Sequence, residues 1–148
     1  MRYEETGNEV GKLFLSVQKK YFPELNNVNF ELVFDTKKRI KNGKFVFAQI
    51  KKADDLIQYF STHDVDYVIF LDKNIWDAIS EEDKIRIVRH ELRHVFIDAR
   101  TEDVKYKIRP HDFEDFRAEV ILNKDDPDWA ERVALVAESL YDKDKEEE

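Results

Sequence analysis

The residues best suited to chemistry are two histidines four positions apart, with a glutamate between them. They lie in the segment His90-Glu91-Leu92-Arg93-His94. On a helix, residues four apart share one face, so both imidazoles can point a nitrogen at the same ion. Because the chain has no cysteine, the side chains expected to hold a metal are histidine, aspartate and glutamate. The spacing therefore predicts a site for one divalent ion, with zinc favoured.

The glutamate of this motif lies beside the ion without being a ligand. In peptidases with this motif the metal polarises the scissile carbonyl and lowers the pKa of a water molecule to about 7. The glutamate takes the proton of that water and passes it to the leaving amine. We therefore expect a zinc-dependent peptidase that acts on a protein or peptide, with Glu91 as its general base.

The third metal ligand has to come from another part of the chain, since a catalytic zinc usually has three protein ligands. The longer motif HExxHxxGxxH is excluded because Ile97 and Arg100 occupy its last two positions. His111 is the favoured ligand, because it lies at the expected start of a helix that could return over the histidine pair. The alternatives are acids that follow it: Glu114, Asp115 and Glu119. Asp112 either caps that helix or orients a ligand histidine.

The metal motif is expected on an amphipathic helix that begins after Ser80. Ser80 and Asp83 resemble a capping box, and the helical pattern of apolar residues continues past the motif to residue 99. On one side of this pattern, Ile87 and Ile97 flank the histidines in a second stripe, which predicts that this face is covered too. The continuous apolar run at 67–71 predicts a buried strand directly before the helix.

The remaining patterns predict an α+β domain. We expect an N-terminal helix over 10–22, strands over 28–34, 44–50 and 67–71, and a short helix over 54–60. Asn42-Gly43 predicts a turn before the second strand. After the metal helix come an extended piece near 104–108 and helices over 110–122 and 127–141. The small sheet has three strands in this prediction. Residues 1–141 form one domain, and 142–148 form a charged, flexible tail.

The two metal-site segments together resemble the phage metallopeptidase family, which comprises compact zincin-like proteins encoded by phages and prophages. The resemblance lies in His90-Glu91-Leu92-Arg93-His94, in Pro110-His111-Asp112-Phe113-Glu114-Asp115-Phe116, and in Asp66-Tyr67-Val68-Ile69 and Trp76. It implies a zincin-like fold and a zinc ligand set of His90, His94 and His111, with Glu91 catalytic. The chain is more distantly similar to the SprT-like zincins, in which Gly often stands where this chain has Asp112.

Positive charge is concentrated in one segment of the chain. The net charge is −8, yet residues 36–53 contain seven bases and no acid. These bases either keep a solvated hairpin from pairing at its edge or attract nucleic acid or an acidic substrate; they are Lys37, Lys38, Arg39, Lys41, Lys44, Lys51 and Lys52. No apolar run is long enough to span a membrane, and the N-terminus lacks the apolar core of a secretory signal. We expect a cytoplasmic protein of a bacterium or a phage-infected host cell.

Two other functions are compatible with the same residues. The first is a zincin-fold binding module that keeps its metal for stability and binds a partner through the basic segment or a sheet edge. The second is a metal-dependent hydrolase of a non-peptide bond. Glu91 separates the binding module from the two enzymes, because only the enzymes need a general base.

Overall fold

The computed structural model describes residues 1–61, 64–98, 105–111 and 116–146, without the side chains of Arg117 and 142–146. In this part of the chain the helices are α1 (Gly7–Tyr21), α2 (Asp55–Phe60), α3 (Lys73–Ala78), α4 (Glu81–Arg93), α5 (Arg117–Leu122) and α6 (Trp129–Glu146). The strands are β1 (Tyr3–Glu5), β2 (Phe30–Asp35), β3 (Ile40–Lys41), β4 (Lys44–Phe45), β5 (Ala48–Lys52), β6 (Tyr67–Asp72), β7 (Val95–Asp98) and β8 (Lys105–Ile108). The predicted α+β class is confirmed. No helix within these residues is both long and apolar enough to cross a membrane.

The main sheet has four strands, in the order β1-β2-β6-β5. The central strand β6 runs parallel to β2 and antiparallel to β5, and all but one of its side chains are buried, as the continuous apolar run predicts. The expectation of a three-stranded sheet is wrong, because β1 adds a fourth. That strand is three exposed residues long, too short to carry a periodic pattern, and is held by its pairing with β2.

One face of the sheet packs against α1 and α4 to form the core. Strand β6 contributes Tyr67, Ile69 and Leu71, and the apolar sides of α1 and α4 meet them. Burying these side chains is the main favourable term for the fold, at about 25 cal/mol per Å² of apolar surface. The predicted start of α4 is confirmed, because the Ser80 hydroxyl accepts a hydrogen bond from the backbone N–H of Asp83. The sheet and this cap fix the direction in which α4 runs.

The metal-motif helix ends earlier than the sequence pattern predicts. Helix α4 stops at Arg93, His94 is its C-cap, and the following four residues form strand β7. The predicted continuation to residue 99 is wrong, because Val95 and Ile97 also fit the two-residue period of a strand. Both pack against the core, while Phe96 between them is exposed. Pairing with β8 decides between the two periods.

The elements around this helix differ from prediction in three places. Helix α5 begins at Arg117 rather than near residue 110, since Pro110 and His111 are not helical. The strand expected over 44–50 is divided into β4 and β5. Helix α3 was not predicted; its first turn is capped by Asp72, whose side chain accepts from the N–H of Ile75.

Three local predictions are confirmed. Asn42 and Gly43 have φ angles of 53° and 75° and form the tight turn between β3 and β4, because both central positions of such a turn need positive φ. Helix α2 starts after Asp54, which caps it. The extended piece near 104–108 is strand β8. The last predicted helix, over 127–141, is α6, which does not end at residue 141 but runs to Glu146.

Candidate metal centre

The structure brings three histidines together at the end of α4. Nitrogen atoms of His90, His94 and His111 all lie within 4.8 Å of one another. The ring centroids are 5.4 Å apart for His90 and His94, 4.7 Å for His90 and His111, and 4.4 Å for His94 and His111. The first two side chains are partly buried and His111 is exposed, so the cluster is open to solvent on one side.

The strand pair β7–β8 carries His111 back to the helix. Its register pairs Val95 with Ile108, and one step beyond this pair the backbone N–H of Arg109 donates to the carbonyl oxygen of His94. The ring of His94 in turn lies with Nδ1 2.7 Å from the carbonyl oxygen of Arg109. These two bonds place residue 111, two positions later, above the helix end.

The ring of Phe116 forms a floor beneath the three imidazoles. Its centroid lies 5.3 Å from that of His90, 5.0 Å from that of His94 and 5.1 Å from that of His111. Phe116 is fully buried, and the guanidinium of Arg109 lies 5.1 Å from its ring centroid. An aromatic floor of this kind restricts how far each histidine ring can tilt.

The donor set fits a tetrahedral metal such as zinc. Bonds of about 2.0–2.1 Å from zinc to histidine nitrogen place ligand nitrogens about 3.3 Å apart. The separation of 2.8 Å between the Nε2 atoms of His90 and His111 is slightly shorter than this, and the 4.8 Å limit for the whole group is longer. Small rotations of the rings would therefore bring three nitrogen donors to ligand distance.

The position of His94 defines which of its nitrogens can face the centre. The carbonyl oxygen of Arg109 accepts a hydrogen bond, so Nδ1 of His94 carries the proton and Nε2 keeps its lone pair. Burial lowers the pKa of His94 to about 4, partly opposed by the bond to Arg109 and helped by the nearby His111 and His90. The ring is thus neutral at neutral pH, as a metal ligand must be.

The side chain of Glu91 is buried on the side of α4 that faces the sheet. Burial raises the pKa of its carboxyl to about 7, against the opposing effects of His90 and of a hydrogen bond from the backbone of Ile50. A carboxyl with a pKa near 7 can accept and release a proton at neutral pH. Glu91 therefore combines a position next to His90 with the proton affinity that acid–base chemistry requires.

The alternative third ligands have different positions. Glu119 is buried, and its two carboxylate oxygens accept hydrogen bonds from Arg89 and Arg93, so both are already engaged away from the three histidines. Glu114, Asp115 and Asp112 lie outside the described residues. Ile97, expected to flank the histidines on the helix, is instead a residue of β7 packed against the core.

Two contributors to the site had no assigned role in the sequence. They are Phe116, whose ring forms the floor of the histidine cluster, and Arg109, whose carbonyl oxygen lies 2.7 Å from Nδ1 of His94. Their roles depend on the pairing of β7 with β8 and on the start of α5. Neither of these features has a local sequence pattern. The one available signal was the position of Phe116 in the segment that resembles the phage family.

Comparison with known families agrees with this geometry. A family model described as "Putative phage metallopeptidase" matches residues 1–141. The chain belongs to this phage metallopeptidase family. The match confirms the resemblance seen in the sequence and spans both metal-site segments. The family's description names a metallopeptidase, and the three histidines could hold the metal. No curated protein and no solved structure matches the chain.

Proposed function

We propose that this member of the phage metallopeptidase family is a zinc-dependent peptidase. The observation that carries the proposal is the convergence of His90, His94 and His111 within 4.8 Å, next to a buried glutamate on the same helix. Three imidazoles with one open position are the donor set of a catalytic rather than a structural zinc site, which is usually closed by four protein ligands.

In this proposal the three histidines hold a single zinc ion. His94 would bind through Nε2, because its Nδ1 proton is directed at the carbonyl oxygen of Arg109. That hydrogen bond orients the ring and increases the basicity of the ligand nitrogen. When bound, zinc supplies Lewis acidity that polarises a scissile carbonyl and lowers the pKa of water. The exposed side of His111 is the side from which a peptide would approach.

Glu91 is the proposed general base. A carboxylate oxygen of Glu91 would take a proton from the attacking water and give it to the amine that leaves the peptide. Its pKa, raised by burial to about 7, suits both transfers, because neither protonation state is strongly disfavoured at neutral pH. The hydrogen bond from the backbone of Ile50 would hold the carboxyl in one orientation during both steps.

The proposal is tested by metal analysis combined with a cleavage assay. The purified protein, reconstituted with zinc and desalted, is expected to hold one zinc per chain and to cleave members of a peptide library. A chelator should abolish cleavage, and added zinc should restore it. A protein without stoichiometric zinc would contradict the metal site. A zinc-loaded protein that cleaves esters but no peptide would favour the non-peptide hydrolase.

A second function, nucleic-acid binding through the basic hairpin β3–β4, is favoured by one observation. Lys41 and Lys44 are directly opposite each other across the hairpin, and both are exposed. Residues directly opposite in an antiparallel pair lie on the same face of the hairpin, so the two positive side chains could contact phosphate groups from one side. A two-stranded ribbon also has a width that the major groove of DNA accommodates.

This hairpin lies far from the histidines. Phe45 of β4 stacks on Tyr141 at 5.2 Å, and Tyr141 donates a hydrogen bond to Asp72, the last residue of β6. The first residue of that strand, Tyr67, donates instead to the carbonyl oxygen of Lys107 in β8. The two surfaces therefore lie towards opposite ends of β6, a strand roughly 17 Å long at about 3.3 Å per residue. Nucleic acid bound at the hairpin would position the enzyme without blocking its metal centre.

A further inference from the structure

A buried group of charged side chains lies between α4 and α5, beside the candidate metal centre. Glu119 of α5 is 1% exposed. One of its oxygens accepts a hydrogen bond from Nε of Arg89 at 2.9 Å, and the other accepts from Nε of Arg93 at 3.1 Å. These arginines directly precede His90 and His94 in α4. The ion pairs therefore form on the same two turns of helix that present the histidines.

The arginines also join a third element to this group. The guanidinium of Arg89 lies 4.9 Å from the ring centroid of Tyr21, and that of Arg93 lies 4.7 Å from the ring centroid of Phe22. Tyr21 is the last residue of α1 and Phe22 follows it. Buried ion pairs contribute little net stability compared with apolar residues, because desolvation offsets their attraction. Their charge-assisted hydrogen bonds do impose a defined geometry.

Glu119 is connected to the histidines through one turn of backbone. Its backbone N–H donates to the carbonyl oxygen of Phe116 at 3.0 Å. The ring of Phe116 contacts all three imidazoles, with centroids 5.0–5.3 Å away. A displacement of Glu119 relative to α4 would therefore move the floor of the candidate centre.

We infer that Glu119 is a positioning residue of this centre. By binding Arg89 and Arg93, it sets α5 against α4 at the distance at which Phe116 holds the histidine rings in a metal-binding arrangement. This inference rests on the proposed metal site and gives Glu119 a role through other residues, without contact to the ion. It also explains why the buried carboxylate of Glu119 binds two arginines of α4.

The test compares zinc affinity in the parent and in Glu119→Gln. Glutamine keeps the volume of the side chain and one acceptor oxygen but loses the charge that holds the second arginine. We expect the dissociation constant for zinc, measured by competition with a chromophoric chelator, to rise by about 10- to 100-fold, the range typical of residues that orient metal ligands. Circular dichroism at the same temperature establishes that the variant is folded.

Asp83→Asn is the matched control. Asp83 is as deeply buried and binds two arginines, Arg86 at 2.8 Å and Arg132 at 2.6 Å. It lies in the first turn of α4, two turns of helix away from His90. We expect this variant to lose thermal stability as Glu119→Gln does, while its dissociation constant for zinc stays within about two-fold of the parent, because the hydrogen bonds described for Asp83 go to Ser80, Arg86 and Arg132 and not to the histidines.

The possible outcomes separate this inference from the metal site itself. A parent that binds no zinc would contradict the proposed function. If the parent binds zinc, unchanged affinity in Glu119→Gln would overturn the positioning role, and so would an equal loss of affinity in Asp83→Asn. Should Glu119→Gln fail to fold, Arg93→Gln offers a milder change, since Arg93 is more exposed and Arg89 still holds the carboxylate. There we expect a smaller but measurable rise of the dissociation constant.

Discussion

The carboxyl of Glu91 accepts a hydrogen bond from the backbone of Ile50, which ties the metal-motif helix to β5, the edge strand of the main sheet. The bond matters for any test of Glu91, because a replacement has to keep it if the helix is to stay in place. Glutamine does so, since its side-chain oxygen is also an acceptor. The amide nevertheless cannot take up a proton at neutral pH.

Glu91→Gln is therefore expected to remove catalysis and to leave metal binding nearly intact. Loss of a general base typically lowers kcat by 10²- to 10⁴-fold. The measurement is cleavage of a peptide substrate by zinc-loaded protein, together with the zinc content. Glu81→Gln, an exposed glutamate in the first turn of the same helix, serves as control and should cleave like the parent. Equal cleavage by Glu91→Gln and the parent would show that another group is the base.

Zinc should stabilise the folded protein through His111. Binding to the folded state alone adds about 2.7 kcal/mol to the free energy of unfolding when free zinc is 100 times the dissociation constant. Thermal denaturation with increasing zinc is expected to show a rising Tm, which a chelator reverses. In His111→Ala the rise should be much smaller at the same zinc concentration. An unchanged rise would assign the third ligand to an acidic residue.

Phe116 is expected to affect metal affinity more than its contribution to the core would suggest. Phe116→Leu keeps an apolar side chain of similar volume but removes the flat ring beneath the histidines. Such a change typically costs below about 1.5 kcal/mol of stability, whereas the dissociation constant for zinc should rise by about ten-fold. Phe14→Leu provides the comparison, because Phe14 is buried in α1 against Phe30. Equal zinc affinities in the two variants would count against the proposed floor.

Asp35 should make the free energy of unfolding depend on pH in the acidic range. Burial alone would raise its pKa, but hydrogen bonds from Arg2 and Arg39 lower it from 3.8 to about 2. A lowered folded-state pKa gives stability that is present above pH 3.8 and is lost as the pH falls towards 2. Asp35→Asn should therefore cost about 2 kcal/mol at pH 6 and little at pH 2.

Urea denaturation from pH 2 to 6 measures this difference. Asp77→Asn is the control, because Asp77 is exposed on α3, and its free energy of unfolding should follow that of the parent at each pH. A constant difference between the parent and Asp35→Asn over the whole pH range would mean that the ion pairs with Arg2 and Arg39 do not shift the pKa.

The hairpin lysines should control any binding of nucleic acid. Replacing Lys41 and Lys44 together by alanine removes two positive charges, so the slope of log K against log salt should decrease by about 1.8 for duplex DNA. Fluorescence anisotropy with a labelled duplex measures this directly. Replacing Lys12 and Lys19, exposed lysines of α1, by alanine gives a control with the same net charge as the hairpin variant. This control should bind like the parent. A similar decrease of the slope in both double variants would indicate non-specific electrostatic attraction.

Much of the fold followed from local sequence patterns. The cap at Ser80, the turn at Asn42-Gly43 and the buried strand β6 all depend on residues within one turn or one strand. Their physics is local, because capping hydrogen bonds, positive φ and side-chain alternation act over a few positions. The donor types of the metal motif were likewise evident, since two histidines four apart on a helix share one face.

Other features needed contacts between distant residues. Val95 and Ile97 fit a helix and a strand equally, and only the partner strand β8 decided between them. Strand β1 also depends on a distant partner, because it is too short to have a pattern of its own. The ion pairs of Glu119 likewise join residues that are 30 and 26 positions apart. No local pattern encodes such pairings, because their energy comes from groups that meet only after folding.

The candidate metal site shows both contributions. The sequence by itself determined which side chains could bind an ion and placed two of them on one helix face, because helix geometry is set by the backbone. The tertiary structure decided how His111 reaches them. Ending α4 at Arg93 frees the next residues to pair with β8, and the hydrogen bonds between His94 and Arg109 turn the chain back over the helix end.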